Sequence, residues 1–311
     1  SCLVTQERVS WMSRNGKSYS NLFCFYGPPS KGTKQIFSLL YARKRRASEK
    51  NLFRTLGKLV LKYFYIFQNS TMSQEIVLIS FYFLALLYSV IIHEVSHGVM
   101  ALWLGDLTAK YADRLNLNPA KHIDPFGSIL LPALLILTTG YAFGWAKPVP
   151  YNPYNLKDQK WGPLWVALAG PGSNLAIALV AALIAALLPI TQLAKIDILS
   201  RFYQAISGSG AMLDRFGALS DAMSGSLPQV LFGILLILIF WNVVLACFNL
   251  LPIPPLDGSK LLYAVFPIKE ETQRWLEHYG MFLILFVVLF LSAPISILIQ
   301  TVLSLFIGLT I

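Results

Sequence analysis

The chain has 311 residues, of which 56% are hydrophobic and only 13% charged, against roughly a quarter charged in ordinary soluble domains. That balance argues against a soluble globular enzyme, and the three cysteines, Cys2, Cys24 and Cys247, argue against a disulfide framework because they are odd in number and far apart. The net charge of +10 is uneven: residues 1–71 hold 13 Lys or Arg against 2 Asp or Glu, and the remainder 12 against 13.

The first segment, 1–71, mixes Ser, Gly and Pro with basic residues, shows no sustained helical or strand period and culminates in Arg43-Lys44-Arg45-Arg46. A solvated or lipid-headgroup-facing tail is preferred over nucleic-acid binding, and no nucleic acid is expected as a partner. Leu52 to Phe67 sets Arg54, Lys58 and Lys62 on one helical face and suits an anionic membrane surface. There is no convincing signal peptide, and Met72 stands directly before the first long apolar run. Residues 1–71 are therefore expected to be disordered or to precede the true start, and 72–311 to form the functional core.

Four stretches reach the roughly 20 apolar residues that a helix needs to cross a bilayer. They are Ile76 to Leu104, Gly162 to Leu188, Gln229 to Leu251 and Met281 to Leu309. A fifth, Gly127 to Ala146, is broken by Pro132, Gly140 and Gly144 and reads as a short helix followed by extended chain dipping into the membrane. Pro294 makes the last stretch either one kinked span or two shorter ones. Polar loops are predicted at 105–126 and 190–228, and a basic loop at 147–161. The predicted fold is an all-α polytopic membrane protein with four to six transmembrane helices and a short irregular or β-like membrane-associated stretch.

Chemistry concentrates in the run HEVSH. His93 and His97 are four apart, so on a helix both imidazoles project from one face and can bind one zinc ion. Glu94 projects beside them, where it can take a proton from water that the metal has made more acidic and pass it to the leaving amine. Ionisable groups at this depth cost about 2.5–3.5 kcal/mol each on insertion scales, which argues against a decorative role. A catalytic zinc keeps three protein ligands and one open position, and Asp257 is the best candidate for the third. It follows a span whose helix is ended by Pro252, Pro254 and Pro255, and Gly258 beside it permits a tight turn.

HEVSH in the first hydrophobic helix and NLLPIPPLDG at the end of a later one resemble the two signature motifs of the site-2 protease family of intramembrane zinc metallopeptidases. The resemblance covers most of residues 76–280, including LNPAKHIDPFGS, FGWAKPVPYNP and AGPGSN. It implies His93, His97 and Asp257 as ligands of Zn2+ and Glu94 as catalytic base. It also implies Asn249 and Asn174 near the active site, where an amide can donate to a substrate carbonyl or oxyanion, or serve as interhelical glue. The partners implied are transmembrane protein substrates and the lipid bilayer, and the location is a multi-pass protein of a prokaryotic plasma membrane. The loop 190–228 is too short for a PDZ module and nothing follows the last apolar run, so a minimal form of the family is expected.

Gly170 and Gly172 read as sites of close helix packing. His122 and Asp124 could be extra metal ligands, a gate, or locally bonded loop residues. The aromatic, turn-rich stretch Gly140 to Tyr154 is predicted to offer backbone groups to an extended substrate by strand addition. The family arrangement puts loops 105–126 and 147–161 in the cytoplasm. Lys147, Lys157 and Lys160 agree by the positive-inside rule, whereas the +11 segment opposes it unless Met72 is the start. Competing functions are a metal transporter using the same His and Asp cluster, a zinc hydrolase acting on lipids or lipid-modified peptides, and an inactive scaffold.

Overall fold

The computed structural model describes residues 8–12, 18–22, 74–130, 146–207, 211–266 and 268–311. It divides into two compact units, Ser1–Tyr65 and Ile66–Ile311. In the first, strands β1 (Arg8–Met12) and β2 (Ser18–Leu22) pair antiparallel, with Arg8 opposite Leu22 and Met12 opposite Ser18. Trp11 stands opposite Tyr19, an aromatic cross-strand pair of the kind that stabilises hairpins. Such a short pairing leaves little period to read, which is why the sequence showed none. The basic run at 43–46 and the amphipathic stretch Leu52 to Phe67 lie outside the described residues.

The second unit is helical among its described residues. Helix α1 (Gln74–Trp103) is 30 residues long, about 45 Å at 1.5 Å per residue. Ala85, Ser89, His93 and Ala101 are buried and His97 continues their four-residue row, so one stripe of α1 faces its neighbours. A short loop helix, α2 (Thr108–Tyr111), follows. Helix α3 (Gly162–Ala186) buries Ala167, Gly170, Asn174, Ala178, Ala182 and Ala185, a small-residue face that lets helices approach closely where no hydrophobic effect drives them together. That face packs against α1 and α6 (Leu227–Asn249). Ser226 caps α6 by accepting the Gln229 N–H.

Helices α1, α3 and α6 are long and apolar enough to cross a membrane, and the second unit gives the protein the fold of an all-α polytopic membrane protein, the short β1–β2 hairpin lying in the first unit. The final apolar stretch forms two helices, α8 (Glu270–Phe290) and α9 (Ser292–Gly308), divided at Leu291; α7 (Ser259–Val265) precedes them. The fifth apolar stretch is mostly outside the described residues, apart from the helical turn Pro125–Leu130.

The segment 190–228, expected to be a polar loop, instead forms α4 (Gln192–Ser207) and α5 (Met212–Met223). Ile198, Phe202 and Ala205 recur at helical spacing and are buried, as are Phe216, Leu219 and Met223. Each run is too short and too polar overall to stand out by hydrophobicity, and packing of one face supplies the stability that propensity lacks.

Candidate metal centre

His93 and His97 lie six to ten residues before the end of α1, roughly 9–15 Å along its axis. Their Nε2 atoms lie 3.1 and 3.3 Å from Oδ2 of Asp257, and the three candidate ligand atoms fall within 4.8 Å of one another. The other nitrogen of each ring determines what Nε2 can do. His97 Nδ1 is 2.7 Å from the Val166 carbonyl, which only accepts, so Nδ1 carries a proton and, in the neutral imidazole, Nε2 presents its lone pair. His93 Nδ1 is 2.6 Å from Asn174 Oδ1, and the Asn174 amide nitrogen is already committed to Ser89 O and Asn242 Oδ1. The buried Asp257 Oδ2 meets no hydrogen-bond partner.

With both imidazoles neutral, three electron-pair donors therefore converge on one point. That cluster is costly unless a cation occupies it, and two imidazole nitrogens with one carboxylate oxygen form a donor set of catalytic zinc sites. The residues present fit the ion.

Asp257 reaches the histidines because the chain bends sharply after α6. Gly258 N–H donates to Asn249 O at 2.7 Å, and a side chain at Gly258 would put its Cβ 2.2 Å from Leu250 O. Gly170 is tied to the site more closely than helix packing requires. A Cβ there would lie 2.4 Å from His97 Nε2 and 2.7 Å from His93 Cε1, so only glycine leaves the two imidazoles their space.

Glu94 accepts the Val149 N–H at Oε2, 2.9 Å. The segment carrying Val149 is fastened from several sides. Lys147 N–H donates to His122 O, and Arg114 Nη2 donates to Lys147 O and Pro148 O. Asp106, fully buried, accepts from Thr108 N and Oγ1, Asn152 N and Asn155 Nδ2. Burial alone would raise the pKa of Asp106, but these bonds outweigh it and hold the carboxyl below its ordinary 3.8.

With both N–H groups of 147 and 149 committed and prolines at 148 and 150, no N–H between 147 and 150 is left for a substrate strand. The expectation of strand addition is narrowed accordingly, and residues 140–145 lie outside the described residues.

The remaining expected residues are placed as follows. Asn174 lies fully buried behind His93 rather than open to a substrate. Asn249 donates its side-chain amide to Leu245 O within α6. His122 is buried with Nε2 at 2.9 Å from Asn116 O, and Asp124 accepts the N–H groups of Phe126 and Gly127. Neither belongs to the His93, His97 and Asp257 cluster. The sequence reading missed Ser89, Asn242 and Val149. For Ser89 a signal existed, its place four residues before His93, and for Asn242 its polarity inside an apolar run; Val149 acts through its backbone, which no side-chain pattern reveals.

A helical membrane bundle carrying a two-histidine, one-aspartate centre beside a glutamate defines a membrane metallopeptidase scaffold. Residues 81–290 match Peptidase family M50, and the chain belongs to this family, the site-2 proteases. It is 36% identical to YwhC of Bacillus subtilis, which carries a provisional name as a zinc metalloprotease, over 66% of this chain and 78% of that protein. It is 28% identical to Rip2 of Mycolicibacterium smegmatis and of Mycobacterium tuberculosis, likewise provisionally named zinc metalloproteases, over 67% of this chain and 65% of theirs. The chain thus spans just under two thirds of the mycobacterial proteins. No solved structure matches it.

Proposed function

We propose that this chain is an intramembrane zinc metalloendopeptidase that hydrolyses peptide bonds in or near the transmembrane segments of membrane proteins, in the plasma membrane of a prokaryote. The observation that carries the reading is the convergence of His93 Nε2 and His97 Nε2, on a helix long enough to span a bilayer, with Asp257 Oδ2 from the bend that follows a second such helix.

His93, His97 and Asp257 would hold the zinc ion. When bound, zinc supplies Lewis acidity that polarises the scissile carbonyl and makes water a stronger acid. Glu94 takes the proton of the attacking water on its carboxylate and delivers it to the departing amine nitrogen, so the same oxygen acts first as base and then as acid. The Val149 N–H restrains that carboxylate, and Val166 O and Asn174 Oδ1 hold the two imidazoles in the orientation that frees Nε2. Asn174 is an orienting residue in this reading, and Asn249 anchors the Asp257 bend through its carbonyl. His93 and His97, some two to three turns from the end of α1, would set the cleaved bond below the membrane surface.

The test is detergent purification, zinc analysis and incubation with a panel of single-span membrane proteins beside Glu94→Gln. Both proteins are expected to carry about one zinc per chain, and only the unaltered protein to cleave. Zinc well below that level, or equal cleavage by both, overturns the reading. A metal transporter would change its flux in Glu94→Gln and have no proteolysis to lose.

A further inference from the structure

Behind the metal centre a second set of polar side chains is sealed inside the bundle. Ser89 on α1, Asn174 on α3 and Asn242 on α6 are all essentially inaccessible, and their bonds run in one direction. Asn242 Nδ2 donates to Leu238 O at 2.8 Å and to Ser89 Oγ at 2.8 Å. Leu238 O is a main-chain carbonyl and can only accept, so the amide of Asn242 has one permitted orientation, with Oδ1 turned toward Asn174. Asn174 Nδ2 then donates to Asn242 Oδ1 at 2.7 Å and to Ser89 O at 3.2 Å. Both hydrogens of that amide are used, and Asn174 Oδ1 is left to accept from His93 Nδ1 at 2.6 Å. The proton of His93 is thereby assigned to Nδ1 and its lone pair to Nε2, the atom beside Asp257.

We propose that Asn242 is a positioning residue of the metal centre. It locks the Asn174 amide and, through it, the tautomer and ring angle of His93. Four amide hydrogens and two amide oxygens are satisfied in this relay, a completeness that a generic interhelical contact does not need. Flipping either amide would set N–H against N–H or oxygen against oxygen, so the network has one low-energy arrangement. Asn242 touches neither substrate nor metal; its effect passes through two other side chains. The proposal rests on the zinc reading above and adds what sets the ligand's protonation pattern.

The experiment measures the zinc dissociation constant of the full chain in detergent by competition with a chelator, for the unaltered protein, Asn242→Leu and Val243→Ala. Val243 is the next residue on α6 and equally buried, so its truncation disturbs packing without touching the relay. Asn242→Leu is expected to weaken zinc binding about tenfold, the lower end of what outer-shell partners contribute, and Val243→Ala to leave it within about twofold. In the zinc-free proteins the 15N signals of His93 should report one Nδ1-protonated tautomer in the unaltered protein and in Val243→Ala, and a mixture of the two tautomers in Asn242→Leu.

If Asn242→Leu does not fold, Ser89→Ala, which removes one of the two acceptors orienting Asn242, serves in its place with an expected loss of about threefold. Zinc affinity unchanged in Asn242→Leu, or in Ser89→Ala where that replaces it, overturns the relay while leaving the metal centre standing, as does an equal loss in Val243→Ala. An unaltered protein that retains no zinc overturns both.

Discussion

Along α1, the half before Ser89 and the half after it are held by different kinds of contact. In the first half Tyr82 meets the rings of Phe216 and Trp241 at centroid separations of 5.2 and 4.9 Å, and Phe202 meets Phe240 at 6.0 Å in the same cluster. In the second half Ser89, His93 and His97 meet α3 and α6 through hydrogen bonds whose donors and acceptors are fixed. Ring packing depends on volume and tolerates replacement by another side chain of similar size. A buried polar network tolerates almost none, because one missing partner leaves a desolvated group unpaired at about 1–3 kcal/mol. The same helix thus carries an adaptable anchor and a site of narrow geometry.

That division can be broken by substitutions in each half. Gly170→Ala intrudes on both imidazoles and should lower cleavage by about a hundredfold or more, since displacing reacting groups by about 1 Å costs on that scale. Zinc analysis should show reduced occupancy while the unfolding midpoint stays close to that of the unaltered protein; full activity in this variant would separate Gly170 from the site.

Phe202→Ala should do the reverse. Loss of a fully buried ring costs about 3–5 kcal/mol, visible in denaturant unfolding, with zinc content per folded chain unchanged. A zinc affinity that falls with stability here would mean that the two halves are coupled.

The smallest effect is expected from Asp106, outside the bundle. Its folded pKa is depressed, so its bonds contribute fully above the ordinary 3.8 and the contribution disappears as pH falls through the lower folded value. Asp106→Asn should therefore be less stable near neutrality and lose less stability than the unaltered protein in strong acid. Parallel acid curves for the two proteins would refute this account of the loop clamp.

Much of the site could be read from local pattern. His93 and His97 share a helical face by spacing alone, and Asp257 stood out by its setting among Pro252, Pro254, Pro255 and Gly258. The part that escaped was collective. The helices α4 and α5 are amphipathic at modest hydrophobicity, and their buried faces become informative only against α6. Gly170 reads as a packing residue because a missing side chain carries no sign of what it makes room for. For Asn174 the sequence left contact with a substrate and interhelical bonding both open, because an amide in an apolar span suits either, and its partners in the bundle distinguish them.

What the amino-acid sequence determined unaided was additive or local: membrane residence, which sums over some 20 residues, and the pairing of two imidazoles with Glu94, which one helical turn enforces. What the tertiary structure decided was where the lone pairs point. The approach of Asp257, the room at Gly170 and the orientation of the Asn242–Asn174–His93 relay depend on contacts among residues far apart in the chain, and hydrogen-bond direction is a property of the assembled partners.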